Sequence, residues 1–233
     1  MKKRTNRIII GVLAVITLFM MTAVAVPYFF KDQLTLTNVQ ADTPSNWKEL
    51  DIKKFDKIAV AGSWSVRISQ GTEYSVKVQA PAELVAKSCS VENGELIINK
   101  YTGDITPTPR IEIIMPTLES IHVFGASEIR VSNFNGEKHP FALTVEGATS
   151  FRADNSTFAN VDVECQGASS IVFRSCLITA AVVNVSGASN VEIERMDGGE
   201  LSGSLNGVAS LRYSGKVSGN KIKTTGLAAV KQN

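Results

Sequence analysis

The sequence predicts an all-β protein folded as a right-handed parallel β-helix, a β-solenoid whose coils are each about 20 residues long. The first observation behind this prediction is a Gly-Ala-Ser tripeptide, or a close variant, that recurs through the second half of the chain. Its glycines are spaced by 22, 20, 20, 20 and 19 residues, and they are Gly125, Gly147, Gly167, Gly187, Gly207 and Gly226. Such a period is typical of coils that bury their apolar side chains only against neighbouring coils.

The second observation is an alternation of apolar and polar residues around the recurring glycines. The position two residues before the glycine is apolar, and its members are Val123, Val145, Cys165, Val185 and Leu205. The position four residues after it is also apolar, and its members are Ile129, Phe151, Ile171, Val191 and Leu211. A period of two predicts strands with one buried face. A helical solenoid fits poorly, because paired helices need repeats of about 33 to 47 residues.

The recurring glycine predicts a bend between two strands of each coil. Glycine allows a positive φ or a close backbone approach, so we predict that all six corner glycines are structural. The next residue in the motif is predicted to point into the tight corner, at Ala126, Ala148, Ala168 and Ala188. The hydroxyl residue that follows is predicted to join a ladder that satisfies turn amides, at Ser127, Thr149, Ser169 and Ser189.

The first 30 residues predict a membrane segment. Four basic residues lie within positions 2–7, and a mostly apolar run follows from Ile8 to Phe30. A membrane-spanning helix needs about 20 apolar residues, and preceding basic residues place the N-terminus in the cytoplasm. The alternative is a cleaved signal peptide, because Ala23-Val24-Ala25 fits the small-x-small cleavage pattern. We therefore predict an anchor or signal peptide over residues 1–30, a tether over 31–48, and export of everything beyond.

We predict that residues 49–118 form the N-terminal β-strand portion of a head domain and that residues 119–233 form its repeated coils. The run FDKIAVAGSWSVRISQGTEYSVKVQAPAEL alternates as strands do, and SVENGELIIN carries the Asn-Gly signal of a hairpin. These segments, followed by the Gly-Ala-Ser coils, resemble the bacterial putative auto-transporter adhesin family with its head GIN domain. The resemblance covers Leu50 to the C-terminus. It implies an adhesin-like β-helical domain of the cell envelope, and it brings no catalytic residues.

Charge and composition limit the kinds of site. Without the four leader cations the chain has 20 Lys and Arg against 22 Asp and Glu, a net charge of −2, so nucleic acid is not an expected partner. The position five residues after the glycine is mostly basic, and we predict Arg130, Arg152 and Arg212 as a binding face. Three cysteines and two histidines form no spaced cluster, so no metal, cofactor or catalytic site is expected.

These observations favour a non-enzymatic, membrane-anchored module of the periplasm or cell surface that binds a glycan or an envelope protein. A carbohydrate-active enzyme is the first alternative, with Glu146, Asp162 and Glu164 among its candidate acids, although Glu146 and Glu164 lie in different columns of the repeat. Self-assembly into homo-oligomers is the second alternative, because the last coil, around Val230, shows no polar cap in the sequence.

Overall fold

The chain folds as a stack of parallel β-coils. The computed structural model describes residues 37–38, 47–102 and 105–233. Its N-terminal elements are β1 (Thr37–Asn38), β2 (Lys48–Leu50), β3 (Lys57–Gly62), β4 (Ser65–Gln70), β5 (Ser75–Gln79), α1 (Ala82–Val85), β6 (Cys89–Glu92), β7 (Glu95–Ile98), β8 (Tyr101–Thr102) and β9 (Arg110–Met115). The later elements are β10 (Ser120–Gly125), β11 (Glu128–Ser132), β12 (Asn135–Gly147), β13 (Ser150–Asp154), β14 (Thr157–Gly167), β15 (Ser170–Arg174), β16 (Leu177–Gly187), β17 (Asn190–Asp197), β18 (Glu200–Gly207), β19 (Ser210–Lys216), β20 (Gly219–Gly226) and β21 (Ala229–Gln232).

Two long parallel sheets form the walls of the stack. Sheet I contains the strands on the N-terminal side of each corner, in the spatial order β7, β3, β10, β12, β14, β16, β18 and β20. Sheet II contains the strands on the C-terminal side, in the order β9, β4, β11, β13, β15, β17, β19 and β21. The predicted all-β solenoid with coils of about 20 residues is therefore confirmed.

The first coil lies between two later parts of the chain. Strands β3 and β4 pair with β7 and β9 on one side, and with β10 and β11 on the other. Residues 71–119 therefore leave the first coil, build the coil on one side of it, and cross over to start the coil on its other side. This order hides the repeat in the sequence, since Gly62 and Gly125 are partners across 63 residues.

The core is a set of inward columns that run along the stack. In sheet II, Ile129, Phe151, Ile171, Val191 and Leu211 follow one another in register and are buried. The middle coils add aromatic rings, with centroids 5.0 Å apart for Phe141 and Phe158 and 5.5 Å apart for Phe151 and Phe173. Each inward residue packs mainly on the residues above and below it, so neighbouring coils supply one another's buried surface.

The coil corners combine an unusual backbone with a hydroxyl ladder. Gly167 has a φ of +130°, and the backbone amide after it donates to the Gly147 carbonyl at 2.9 Å. Ser169 is buried, and its hydroxyl accepts from the Thr149 amide at 3.0 Å and donates to the Gly147 carbonyl at 3.2 Å. Ser189 makes the same two contacts one coil further on, at 3.0 and 3.2 Å.

The alanines of the motif do not point into the corner, so that prediction is wrong. Ala126, Ala148, Ala168 and Ala188 are exposed, whereas the hydroxyl residue after each of them is buried. The physical reason is that the corner amide at the hydroxyl position has no strand partner, so it is satisfied by the side chain of the neighbouring coil. The inward place therefore belongs to serine or threonine.

The two ends of the described stack differ in structure. At the N-terminal end, the antiparallel pairs are β2 with β5, β5 with β9, and β6 with β7. Strands β6 and β7 form the predicted hairpin, with positive φ at Asn93 and Gly94. The last described coil places polar residues in inward columns, and these are Asn220, Thr224 and Gln232.

A hydrogen-bond network covers the C-terminal end of the core. Asn220 donates to the Tyr213 hydroxyl at 3.3 Å, and that hydroxyl donates to the Gln232 side chain at 3.3 Å. Gln232 in turn donates to the Gly215 carbonyl at 3.0 Å. The last described coil therefore carries linked polar side chains at inward positions. The sequence analysis did not recognise this network because its residues are distributed over two strands.

The predicted membrane segment, residues 8–30, lies outside the described residues. Within the part of the chain that the structure describes, no helix has the length and apolar character needed to cross a bilayer.

Candidate functional site

Sheet II presents a row of charged side chains on its outer face. Inward and outward positions alternate along each strand, so the residues next to the buried column face solvent. Arg67, Arg130 and Arg152 occupy equivalent outward positions on β4, β11 and β13, and they are direct neighbours in register. Parallel strands lie about 4.8 Å apart, so the three guanidinium groups form a closely spaced series. We call Arg67, Arg130 and Arg152 the arginine ladder.

Arg67 was not identified by the sequence analysis, although a signal was present. It follows Gly62 by five residues, as Arg130 follows Gly125, and both glycines are corner residues with positive φ. The 63-residue separation concealed this equivalence, because the later corner glycines follow one another at steps of only 19 to 22 residues. The inserted coil, which contains β7 and β9, accounts for the difference.

Each member of the ladder has a carboxylate partner. Arg67 lies 3.5 Å from Glu112 on the neighbouring strand. Arg130 and Arg152 each contact an acid two residues away on their own strand, at 2.7 Å to Glu128 and 2.7 Å to Asp154. The arginine side chains are 42 to 58% exposed. Ion pairs between exposed side chains are weak in water, so they leave the guanidinium groups available to a ligand.

The structure separates Arg212 from the ladder. Val172 and Glu192 occupy the two intervening positions between Arg152 and Arg212. The predicted face of Arg130, Arg152 and Arg212 therefore contains two adjacent members and one distant member. The corner glycines lie along the edge between the two sheets and do not contribute side chains to the face.

A shallow basin of about 420 Å³ lies at the N-terminal end of the ladder. Its lining includes Arg67, Arg130, Lys77, Glu112 and Asp154. The exposed side chain of Ile114 supplies apolar surface, while serine hydroxyls supply polar groups at Ser69, Ser75 and Ser132. The basin therefore combines donors, acceptors and an apolar floor within a small area.

The charges of this outer face almost balance. Around the ladder, the cations of Arg67, Arg130 and Arg152 are matched by Glu112, Glu128 and Asp154. Such a surface has no strong field for a polyanion, because the paired acids offset the arginines at short range. It offers neighbouring donors and acceptors instead, which is the arrangement that a hydroxyl-rich ligand can use.

The candidate acids of sheet I lie on its outer face. Glu146 is on β12, and Asp162 and Glu164 are on the adjacent β14. Burial raises the pKa of all three carboxyl groups, and the charges of Asp162 and Glu146 raise the pKa of Glu164 further. Different columns of the repeat therefore bring these acids close enough to interact electrostatically.

His122 lies beside this acidic group without carrying a charge near neutral pH. Burial lowers the pKa of His122 to about 4. Its Nε2 atom is 3.6 Å from a Glu146 carboxylate oxygen. Because the imidazole is neutral above that pKa, this contact does not act as an ion pair at pH 7. The acids are consequently not neutralised by His122.

We expect Glu164→Gln to raise the melting temperature at pH 7 and to leave it almost unchanged near pH 3. The pKa of Glu164 is higher in the folded chain than in the unfolded chain, so its ionisation destabilises the fold as the pH rises through these values. Circular dichroism of the full chain at both pH values measures the effect. Glu192→Gln, on the outer face of sheet II, is the control, and an equal shift at both pH values would contradict the assignment.

The three cysteines lie in the core or against it. Cys89, Cys165 and Cys176 are free thiols. Cys165 donates to the Ser189 hydroxyl at 3.3 Å, and Cys176 donates to the Ala153 carbonyl at 3.4 Å. Burial raises the pKa of Cys89 and of Cys176 to about 11. In the described ranges, no three His, Cys, Asp or Glu residues are grouped so as to hold a metal ion.

Comparison with known proteins gives a family match and a fold match. Residues 54–212 match the family described as "Putative auto-transporter adhesin, head GIN domain". No curated protein matches the chain. A crystal structure of a putative adhesin from Bacteroides fragilis has a TM-score of 0.56 at 14% identity, with 82% of this chain and 99% of that chain covered. This likeness shows the solenoid fold.

Two further crystal structures from Parabacteroides have lower similarity. A putative adhesin from Parabacteroides merdae has a TM-score of 0.46 at 11% identity, covering 84% of this chain and 99% of that chain. A putative lipid binding protein from Parabacteroides distasonis has a TM-score of 0.42 at 14% identity, covering 84% of this chain and 100% of that chain.

Proposed function

Because the chain belongs to the family described as "Putative auto-transporter adhesin, head GIN domain", we propose that it is a non-enzymatic recognition module of the bacterial cell envelope that binds a glycan on sheet II. The observation that carries this proposal is the arginine ladder, in which each exposed guanidinium group lies beside a carboxylate. The family and the similar crystal structures support the adhesin-like part of the proposal.

The chemistry of the ladder favours a hydroxyl-rich ligand over a polyanion. Each arginine and carboxylate pair offers N–H donors and oxygen acceptors to the same ligand, and Ser69 and Ser132 add hydroxyl groups beside them. The spacing of the strands repeats these groups about every 4.8 Å along the stack. A polymer laid across the strands meets the same kind of contact several times, so weak individual contacts combine.

We further infer that the protein is anchored in the cytoplasmic membrane, with the head outside the cytoplasm. The support is the sequence pattern of residues 2–30, in which basic residues precede an apolar run of membrane-spanning length. The coil is inferred to be right-handed, the hand that crossover connections between parallel strands almost always take. Self-assembly through the C-terminal end is disfavoured by the polar Asn220 and Gln232 in that coil.

The proposal is tested by binding of the full-length chain in detergent to an array of neutral and anionic glycans. We expect saturable binding that Arg67→Gln or Arg130→Gln weakens about tenfold, since a hydrogen bond to a charged group contributes about 1.5 to 3 kcal/mol. Arg212→Gln is the matched control, because it occupies the same column outside the ladder, and it should bind like the unmodified chain.

Salt dependence and product analysis separate the remaining alternatives. Raising the salt from about 0.1 M to about 1 M shortens the screening length from about 10 Å to about 3 Å. Binding to a hydroxyl-rich glycan should change little, whereas binding to a polyanion should weaken strongly. Release of shortened sugars, abolished by Glu164→Gln, would replace this proposal with a carbohydrate-active enzyme. Absence of glycan binding would contradict the proposal and leave a protein partner.

A further inference from the structure

A groove of about 670 Å³ runs along the corner of sheet I, away from the arginine ladder. It crosses six successive strands, β3, β10, β12, β14, β16 and β18. Ala142, Ala180 and Val182 supply its accessible apolar surface, and the side chains of Phe141, Val161 and Ala181 are buried beneath them. Val182 lies at an outward position of β16 and is 40% exposed, so it presents apolar surface to the groove.

Charged residues at both ends of the groove are already paired. Lys57 lies 3.8 Å from Glu119 at the N-terminal end. Glu200, at the other end, accepts from Lys221 at 2.6 Å. These pairs neutralise the ends, so the ends do not attract a charged ligand strongly.

The centre of the groove carries an acid instead. Asp162 lies in register between Ala142 on one neighbouring strand and Val182 on the other, so its carboxylate has apolar groups on both sides. None of the ion pairs formed by the described residues includes Asp162 or Glu164. Burial raises the pKa of the Asp162 carboxyl, which fits a negative charge that is partly removed from water.

We propose that this groove binds an extended peptide segment of a partner protein, with a lysine or arginine placed against Asp162 and small apolar residues on either side. The negative charge of Asp162 favours a cationic residue at the centre of the peptide. The apolar groups of Ala142 and Val182 beside it favour small apolar residues at the adjacent peptide positions. Six strands spaced about 4.8 Å apart give a groove about 24 Å long, which accommodates about seven extended residues. This site is independent of the proposed glycan site because it lies on the other sheet.

The test measures binding of two fluorescent peptides to the full-length chain in detergent. The peptides are Ala-Val-Ala-Lys-Ala-Val and the same sequence with glutamine in place of lysine. We expect the lysine peptide to bind saturably and at least about tenfold more tightly than the glutamine peptide, a difference reasonable for one partly buried charge pair. Asp162→Asn should remove that difference.

Three variants check the location of the site and the integrity of the fold. Val182→Lys places a cation in the groove and should block the lysine peptide. Glu192→Gln, on the other sheet, should leave binding unchanged. Melting curves show whether Asp162→Asn and Val182→Lys remain folded. Both positions are exposed, so we expect both variants to fold. The first variant removes the negative charge and the second blocks the groove, so each tests the site in a different way.

Several results would overturn the proposal. Equal affinity for both peptides removes the role assigned to Asp162, and absence of saturable binding removes the site. If the unmodified chain instead forms dimers that Asp162→Asn dissociates, the occupant is a second copy of this chain and the partner peptide is rejected. Loss of glycan binding with retained peptide binding would contradict only the proposed function of sheet II.

Discussion

Gly167→Ala is expected to destabilise the fold by about 4 kcal/mol or more, in the range reserved for the most severe single substitutions. Gly167 has a φ of +130°, a backbone conformation that side chains other than glycine rarely adopt. A Cβ atom at this position would also overlap the carbonyl oxygen of Gly147 in the preceding coil. Relief of that overlap requires the two coils to move apart, which breaks the hydrogen bonds and the side-chain packing between them.

Two other glycines separate the contributions to this effect. Gly198 has a φ of +84°, but a Cβ there has no atom within 4 Å, so Gly198→Ala should lose only about 1 to 2 kcal/mol from backbone strain. Gly219 has open space and no positive φ, so Gly219→Ala should be nearly neutral. Urea unfolding of the full chain measures all three. A similar loss for Gly167→Ala and Gly198→Ala would show that the close approach of coils is unimportant.

Phe173→Ala is expected to cost about 3 to 5 kcal/mol of unfolding free energy. Its ring is fully buried, and its centroid lies 5.5 Å from that of Phe151 and 6.3 Å from that of Phe158. Truncation removes a large apolar area and leaves a cavity between three coils. Because each coil is stabilised mainly by its neighbours, a defect in the middle of the stack weakens both halves.

The controls for Phe173 use its neighbour and a terminal coil. Val172→Ala alters the outward side of the same strand and should stay within about 0.5 kcal/mol of the unmodified chain. Val230→Ala changes an inward position in the last described coil, where the side chain is only partly buried, so its loss should be smaller than that of Phe173→Ala. Equal losses at Phe173 and Val230 would contradict the dependence on neighbouring coils.

The parts of the fold that repeat along the chain could be predicted from the sequence. The period of the corner glycines and the alternation around Ile129 and Phe151 depend only on local sequence, and they led to the strands that the structure contains. The family resemblance is likewise confirmed. The hydroxyl ladder through Ser169 is confirmed. The placement of Ala168 was wrong, because the pattern shows that small residues follow glycine but not which of them points inward.

The parts that depend on contacts between distant segments could not be predicted. Arg67 joins Arg130 only because β4 pairs with β11 across an inserted coil. Glu164 interacts with Glu146 only through the register of β12 and β14. Pairing register is set by tertiary packing, so the contact of Arg67 with Glu112 on the neighbouring strand could not be predicted. The acids beside Arg130 and Arg152 are local, since each lies two residues away on the same strand.

The sandwiched position of the first coil has a consequence for how the chain folds. β3 and β4 cannot complete their pairing until β11 has been synthesised, since one neighbour on each side comes later in the sequence. The antiparallel strands and α1 close the N-terminal end, so later coils can add only at the opposite end. We expect folding to begin with slow formation of a nucleus from residues 48–132 and to continue by fast, one-directional addition of coils.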